Sequence, residues 1–414
     1  MGVKLLLAGR YAGHVAPRAW LRQAEGWLRE VAEELLEATR TVAAPRGPML
    51  LLRLHPAADE VALVAAGEGR LVVSANTSMV GPGYHRYLCD LMQGLGEAFG
   101  VDWAGQDLHG GVGDPTGYFH TGDASGIEPR MLAWLQDMAG RVLDYRQHGQ
   151  SGATLSLRAG HGFQYPGALL TPLGPRDEAW LRSVREAPLL GTDVFPWWQP
   201  GQGAAYRLGR ALSRIWTDMV WRPPLLEEER HLFRDVARQL ELAWREDPTL
   251  PYPWREWLEV LGYFGQGGTL AEEVSRRAAA APSGPLLGYR RGSVQVALPE
   301  GWEIRIPGSL AEAHLADGSW VARDHRRSVR FVPLEDVSGI APGPEQQLPY
   351  EYQYQGERVS GRATLHMEPG ECRLTALCEA GARRALCVVS FDDPDEQDWA
   401  LGTWRSLDCA SIAC

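Results

Sequence analysis

Apolar positions recur along the first part of this chain at three- and four-residue spacing, broken by short runs of continuous or alternating hydrophobicity. Val3 to Ala8 is such a run and reads as a strand. Residues 17–42 place Trp20, Leu21, Ala24, Trp27, Leu28, Val31, Leu35 and Leu36 on one helical stripe behind Pro17, which predicts a single long amphipathic helix. Strands are expected at Met49–Leu54, Val61–Ala65 and Leu71–Val73, and helices at 84–98, 128–145 and 176–187. Residues 153–158 alternate as another strand. The strand at Leu71–Val73 runs into Ser74, Asn76, Thr77 and Ser78, then into Gly81-Pro82-Gly83 before a helix. Open α/β sheets bind ligands at such strand ends, so this stretch is the most site-like of the chain.

From Phe195 to Phe264 the pattern turns helical and rich in tryptophan, with helix 225–246 carrying Leu225, Leu232, Phe233, Val236, Leu240 and Trp244 on one stripe. Aromatic density of this kind is packing between helices more often than a stacking platform for a ligand. Residues 278–288 (AAAAPSGPLLG) lack periodicity and read as a linker. Beyond them the segments alternate as strands and close on a short helix that carries Trp399, Ala400, Thr403, Trp404 and Leu407. The pattern predicts an α/β (α+β) region over 1–195, a tryptophan-rich helical segment over 196–277, a β-rich domain over 289–408 and a tail over 409–414.

The last part also resembles a known family. Its opening LPEGWEI (298–304), its paired strands and its ending VVSFDDPDEQDWALGTWRSL (388–407) are similar to the PsbP-like α/β sandwich family. The resemblance implies an antiparallel α+β module that docks onto other proteins. Pro-x-Gly-Trp and a terminal tryptophan helix are packing signatures, so it implies no catalytic residue.

Length narrows the picture less than charge does. A chain of 414 residues exceeds one ordinary core, and a formal charge of −11 argues against a protein that coats nucleic acid. No apolar run is long enough to cross a bilayer, and the start MGVKLLLAGR has neither a signal-peptide core nor a myristoylation pattern, so a cytoplasmic protein is expected. The six cysteines have no metal-ribbon or C-x-x-C spacing. Cys372, Cys378 and Cys387 read as buried hydrophobes, whereas Cys409 and Cys414 fall on the expected tail.

Three groups of residues could carry chemistry. His85 and Cys89, four apart on a helix, share a flank. With His161, also beyond a strand, His85 is the candidate catalytic imidazole. Ser78, Gly81, Gly83 and Arg86 form a candidate anion site, since a glycine turn before a helix offers free N–H groups, although no phosphate-loop motif is complete. Asp107, His109 and His120, with Asp114 and Asp123 nearby, form a mixed nitrogen and oxygen set that zinc or manganese would accept; the plain alternative is turn chemistry at Asp114-Pro115-Thr116-Gly117. No G-x-S-x-G elbow is present at Ser74 or Ser78. The expectation is a non-enzymatic protein that binds another protein, such as a bacterial immunity or defence factor, without cofactor. The alternatives are a hydrolase with a His/Asp site at the strand ends and a small-anion or nucleotide sensor.

Overall fold

The computed structural model describes residues 2–45, 47–107, 110–148, 153–154, 161–265, 267–334, 350–368 and 370–410. The chain mixes helices with antiparallel sheets. Strands β1 (Lys4–Arg10), β2 (Ala38–Ala44), β3 (Gly47–Arg53), β4 (Val61–Ala66), β5 (Arg70–Asn76) and β6 (Asp102–Trp103) form one six-stranded sheet in the order β2-β3-β4-β5-β1-β6. Every pairing in it is antiparallel. Helices α1 (Pro17–Val31), α2 (Pro82–Phe99), α3 (Tyr118–Thr121) and α4 (Ile127–Gln147) contribute Trp20, Leu28, Leu88, Phe119 and Leu135 to the core they share with the sheet.

The long helix expected over 17–42 stops at Val31. Leu35 still reaches the core, but Thr39, Thr41 and Val42 are β-branched and pair with β3 instead. The β-branched residues Thr39, Thr41 and Val42 are the signal that outcompeted the helical stripe.

Three short strands follow: β7 (Ala153–Thr154), β8 (His161–Phe163) and β9 (Leu169–Thr171), then β10 (Gly174–Arg176) and helix α5 (Glu178–Glu186). The strand expected over 153–158 is present at 153–154, and its remainder lies outside the described residues. Helices α6 (Ala204–Thr217), α7 (Glu227–Glu246), α8 (Trp254–Tyr263) and α9 (Thr269–Ala280) build a second core around Ile215, Phe233, Leu240 and Trp257. Its tryptophans pack on one another: Trp254 stacks on Trp257 at 5.5 Å. The aromatic density is therefore packing here. Residues 278–280, expected in the linker, still belong to α9.

The C-terminal part holds two antiparallel sheets. Strands β11 (Ser293–Ala297), β12 (Trp302–Pro307), β13 (Ala311–His314), β14 (Trp320–Arg323), β15 (Arg327–Leu334), β16 (Tyr352–Gln355), β17 (Ser360–Glu368), β18 (Glu371–Ala380) and β19 (Arg383–Phe391) precede helix α10 (Gln397–Arg405) and β20 (Asp408–Cys409). Seven of them run in the order β13-β14-β15-β19-β18-β17-β16; the other sheet is β20-β12-β11-β8. A third core lies between them, with Trp302, Phe331 and Trp404 fully buried. Cys372, Cys378 and Cys387 lie in this core as small hydrophobes. Cys409 departs from the expected tail: β20 pairs with β12 at Trp302, and the thiol is buried.

The strand β8 is the unexpected piece. It comes from the N-terminal part of the chain and completes the C-terminal sheet, pairing His161, Gly162 and Phe163 with Val296, Gln295 and Val294. Phe163 stacks on Tyr289 at 5.0 Å, and the Tyr289 hydroxyl donates to Thr171 O. Sequence separation thus gives a poor account of which strand belongs to which sheet.

Candidate functional site

Gly81-Pro82-Gly83 starts α2 as expected, and the reason for its glycines is the chain packed against it. Gly81 has φ +114, and a Cβ there would stand 2.7 Å from Trp197 O. A Cβ on Gly83 would stand 2.3 Å from Gln199 O. The Gly83 N–H donates to the carbonyls of Trp197 and Trp198, and Trp197 N–H donates back to Val80 O. A donor needed for an anion is thus already used by the protein itself. Arg86 points elsewhere, lying over the Tyr118 ring and 4.0 Å from Asp90. Ser78 is buried, accepting from Val3 N and donating to Asn76. Ser78, Gly81, Gly83 and Arg86 do not converge on one anion site: the turn is occupied by the Trp197 segment.

One turn further along α2 the picture is different. His85, Cys89 and Asp114 are all buried without measurable exposure. Helical spacing sets His85 and Cys89 on one flank, with Cys89 Sγ 3.6 Å from His85 Nε2. The loop after β6 brings Asp114 Oδ1 to 3.1 Å from the same nitrogen, and Thr116 Oγ1 also lies 3.1 Å from it. On the other side of the ring, Nδ1 is 2.9 Å from Thr77 Oγ1. Asp114 is itself held by Thr116 N at 2.8 Å and Phe119 N at 2.9 Å. The Asp-Pro-Thr-Gly turn is thus both turn chemistry and the mount for a buried carboxylate.

Burial by itself would push the Asp114 carboxyl up, but the hydrogen bond and charge of His85, with the Phe119 and Thr116 amides, hold it well below the usual carboxylate range. Burial first, and the charges of Asp114 and Asp90 next, push the Cys89 thiol far up. A thiol so placed is closed to solvent, so nothing outside reaches the Cys–His pair for nucleophilic attack.

The other sequence candidates scatter. His161 sits on β8, and its Nε2 is 2.9 Å from Glu312 Oε1, an oxygen shared with Arg290 at 2.8 Å. It lines a cleft of about 280 Å³ with Arg214, Asp218, Glu228 and Arg290. Among the described residues His161 and His85 have different partners, Glu312 for the first and Thr77, Thr116 and Asp114 for the second. Asp107 is exposed and accepts from Gly110 N within its own turn. His120 is exposed against the Phe119 edge, and Asp123 caps the turn at Ser125. His109 lies outside the described residues. Among the described residues, Asp107 and His120 are exposed and do not fall in one metal-binding group, while His109, the third member of the expected set, lies outside them. Among the described residues, the group that could hold a metal is His85, Cys89 and Asp114 instead.

The sequence marks the His85–Cys89 flank, and it places Asp114 among the candidate metal ligands of its loop, with turn chemistry as the alternative. It missed His55, which is fully buried with its Nδ1 accepting from Ala57 N, and whose charged form is strongly disfavoured by burial and by Arg210 and Arg214. It also missed Glu312 and Arg290, since nothing local marks either as the partner of a strand distant in sequence.

No protein-family model matches the chain, and no curated protein matches it either. No described helix is long and apolar enough to cross a membrane.

Proposed function

We propose that this is a protein-binding protein whose docking surface is the solvent side of the six-stranded sheet. One observation carries the reading: an apolar row crosses that face. Val42 pairs with Met49, Met49 with Val64, and Val64 with Val72, so these four side chains lie in line over β2, β3, β4 and β5. None of them belongs to the buried core, and Val72 is 38% exposed. Beside them is a hollow of about 600 Å³ lined by Ala44, Pro45, Val64, Ala66, Arg70 and Val72. A sheet with one solvated face normally shows polar side chains there, so an apolar row on that face calls for a partner.

Charge describes the partner further. Lys4, Arg10 and Arg70 share the face with Val72, and Arg40 and Arg53 flank the row near Glu60. The chain as a whole carries −11, whereas Lys4, Arg10 and Arg70 give this part of the face a basic character. A protein with an apolar centre and an acidic rim fits it, with association that weakens as salt screens the rim. The resemblance of residues 289–408 to PsbP-like modules supports the same class of work. Against the hydrolase stands the separate placement of its candidates, with His85 buried on Asp114, His161 on Glu312, and Asp107 and His120 exposed; against the anion sensor stands the Gly83 N–H already donating to Trp197 and Trp198.

The test is a photo-crosslinking side chain at Val72 of the full chain in cells of its source, with Met367 on β17 as control. The expected result is a discrete protein adduct at Val72, missing at Met367 and lost when Arg10→Glu and Arg70→Glu are combined. No adduct, or the same adducts at both positions, would defeat the reading.

A further inference from the structure

We infer that His85, Cys89 and Asp114 form a closed, structural zinc site. Asp114 Oδ1, Thr116 Oγ1 and Cys89 Sγ approach His85 Nε2 at 3.1, 3.1 and 3.6 Å. A ring nitrogen carries either one hydrogen or one lone pair, so it can satisfy one of the three well. Thr116 Oγ1 already donates to the Asp114 carboxylate at 2.7 and 2.8 Å, so the groups that a cation at this focus would draw together are Nε2, the carboxylate and the Cys89 sulfur.

Distances agree with such a centre. With metal–nitrogen or metal–oxygen bonds of about 2.0–2.1 Å and a metal–sulfur bond of about 2.3 Å, tetrahedral geometry separates neighbouring donors by roughly 3.3–3.6 Å. The two donor separations involving Nε2 are 3.1 and 3.6 Å, and the ligand atoms of all three residues lie within 4.8 Å of one another. A closed zinc takes a fourth donor, and the next polar atom is Thr116 Oγ1, 3.1 Å from Nε2.

The surroundings are those of ligands held in place from behind. His85 Nδ1 meets Thr77 Oγ1, which fixes the ring so that Nε2 faces inward, while Thr116 N and Phe119 N hold the carboxylate. Sulfur, imidazole and carboxylate together suit zinc better than magnesium or calcium, which take oxygen alone. On binding, the Cys89 thiol passes its proton to solvent and the thiolate joins the carboxylate. Two negative ligands then balance one dication, which leaves the buried group neutral. Because all three side chains are sealed from solvent, the metal would bridge α2 to the 114–119 turn and would not meet a substrate. This inference does not depend on the docking surface.

The experiment uses the full chain, produced with zinc present and passed through metal-free buffer. Elemental analysis is expected to give about one equivalent of zinc per chain, and cobalt loaded in its place is expected to show a thiolate-to-cobalt charge-transfer band. Cys89→Ala should abolish the band and Asp114→Asn should cut the bound metal at least about tenfold. Wild-type protein below about a tenth of an equivalent, with melting unmoved by added zinc or by chelator, overturns the site. So does a cobalt band that survives in Cys89→Ala. The wild-type measurements decide the matter even if a variant fails to fold.

Discussion

His85 and His161 each face a carboxylate at nearly the same separation, 3.1 and 2.9 Å, and they occupy opposite kinds of environment. The first pair is fully buried and made wholly within the N-terminal body. The second is partly open, with 26% of the His161 side chain and 17% of the Glu312 side chain exposed, and it ties β8 to β13 at the edge of a cleft. The lesson is that pair type says little by itself. Without solvent, each polar atom must find a partner inside the fold, and the His85 group accordingly engages Thr77, Thr116 and two backbone amides. Near solvent, water shares the work, and the His161 group serves to join two regions.

The largest expected effect follows from removing the buried carboxylate. Asp114→Ala leaves His85, Thr116 and the Phe119 amide without their shared acceptor in a sealed site, at a cost of about 3–5 kcal/mol in chemical unfolding. A loss under about 1 kcal/mol would erase the distinction between the two pairs. Glu312→Ala should cost less, about 1–3 kcal/mol, because Arg290 keeps Gly308 O and Leu310 O and solvent reaches His161. Hydrogen exchange should place that loss at β8 and β11, with α2 unchanged; exchange rising equally in α2 would refute a local junction.

The smallest effect concerns acid. Burial works to raise the Glu312 carboxyl, but the His161 hydrogen bond and the Arg290 charge outweigh it and hold the group below its ordinary 4.5. Asp114 is held far below its ordinary 3.8. A carboxyl lowered by folding contributes stability that is present above its unfolded value and lost as pH falls through its folded one. On stepwise acidification the β8–β11 junction should therefore lose exchange protection before the His85 site does. The reverse order would show that exposure does not govern which pair yields first.

How much of this was readable beforehand differs by element. Helix α2 and strands β1, β3, β4 and β5 follow from periodicity, because each repeats its pattern over enough residues to outweigh local accidents. Helix α1 was overread, since Leu35 and Leu36 continue its stripe by coincidence while Thr39, Thr41 and Val42 favour a strand. The His85–Cys89 flank was legible because helical geometry alone sets it. Asp114 is marked as a candidate ligand of its loop, but a turn motif does not say which imidazole its carboxylate meets, and His85 and His161 are equally open on sequence.

Chain chemistry by itself determined the mixed α/β class, the tryptophan-rich helices as packing, the buried cysteines of the β-rich part and the start of α2 at a glycine turn. Those features depend on spacing, propensity and backbone conformation within a few neighbouring residues. Tertiary structure alone decided that β8 joins the C-terminal sheet, that Trp197 fills the glycine turn, and that one imidazole is sealed with Cys89 and Asp114 while the other faces Glu312. Contacts between residues far apart in the chain leave no local pattern, since any polar side chain of suitable length could have supplied the partner until packing chose one.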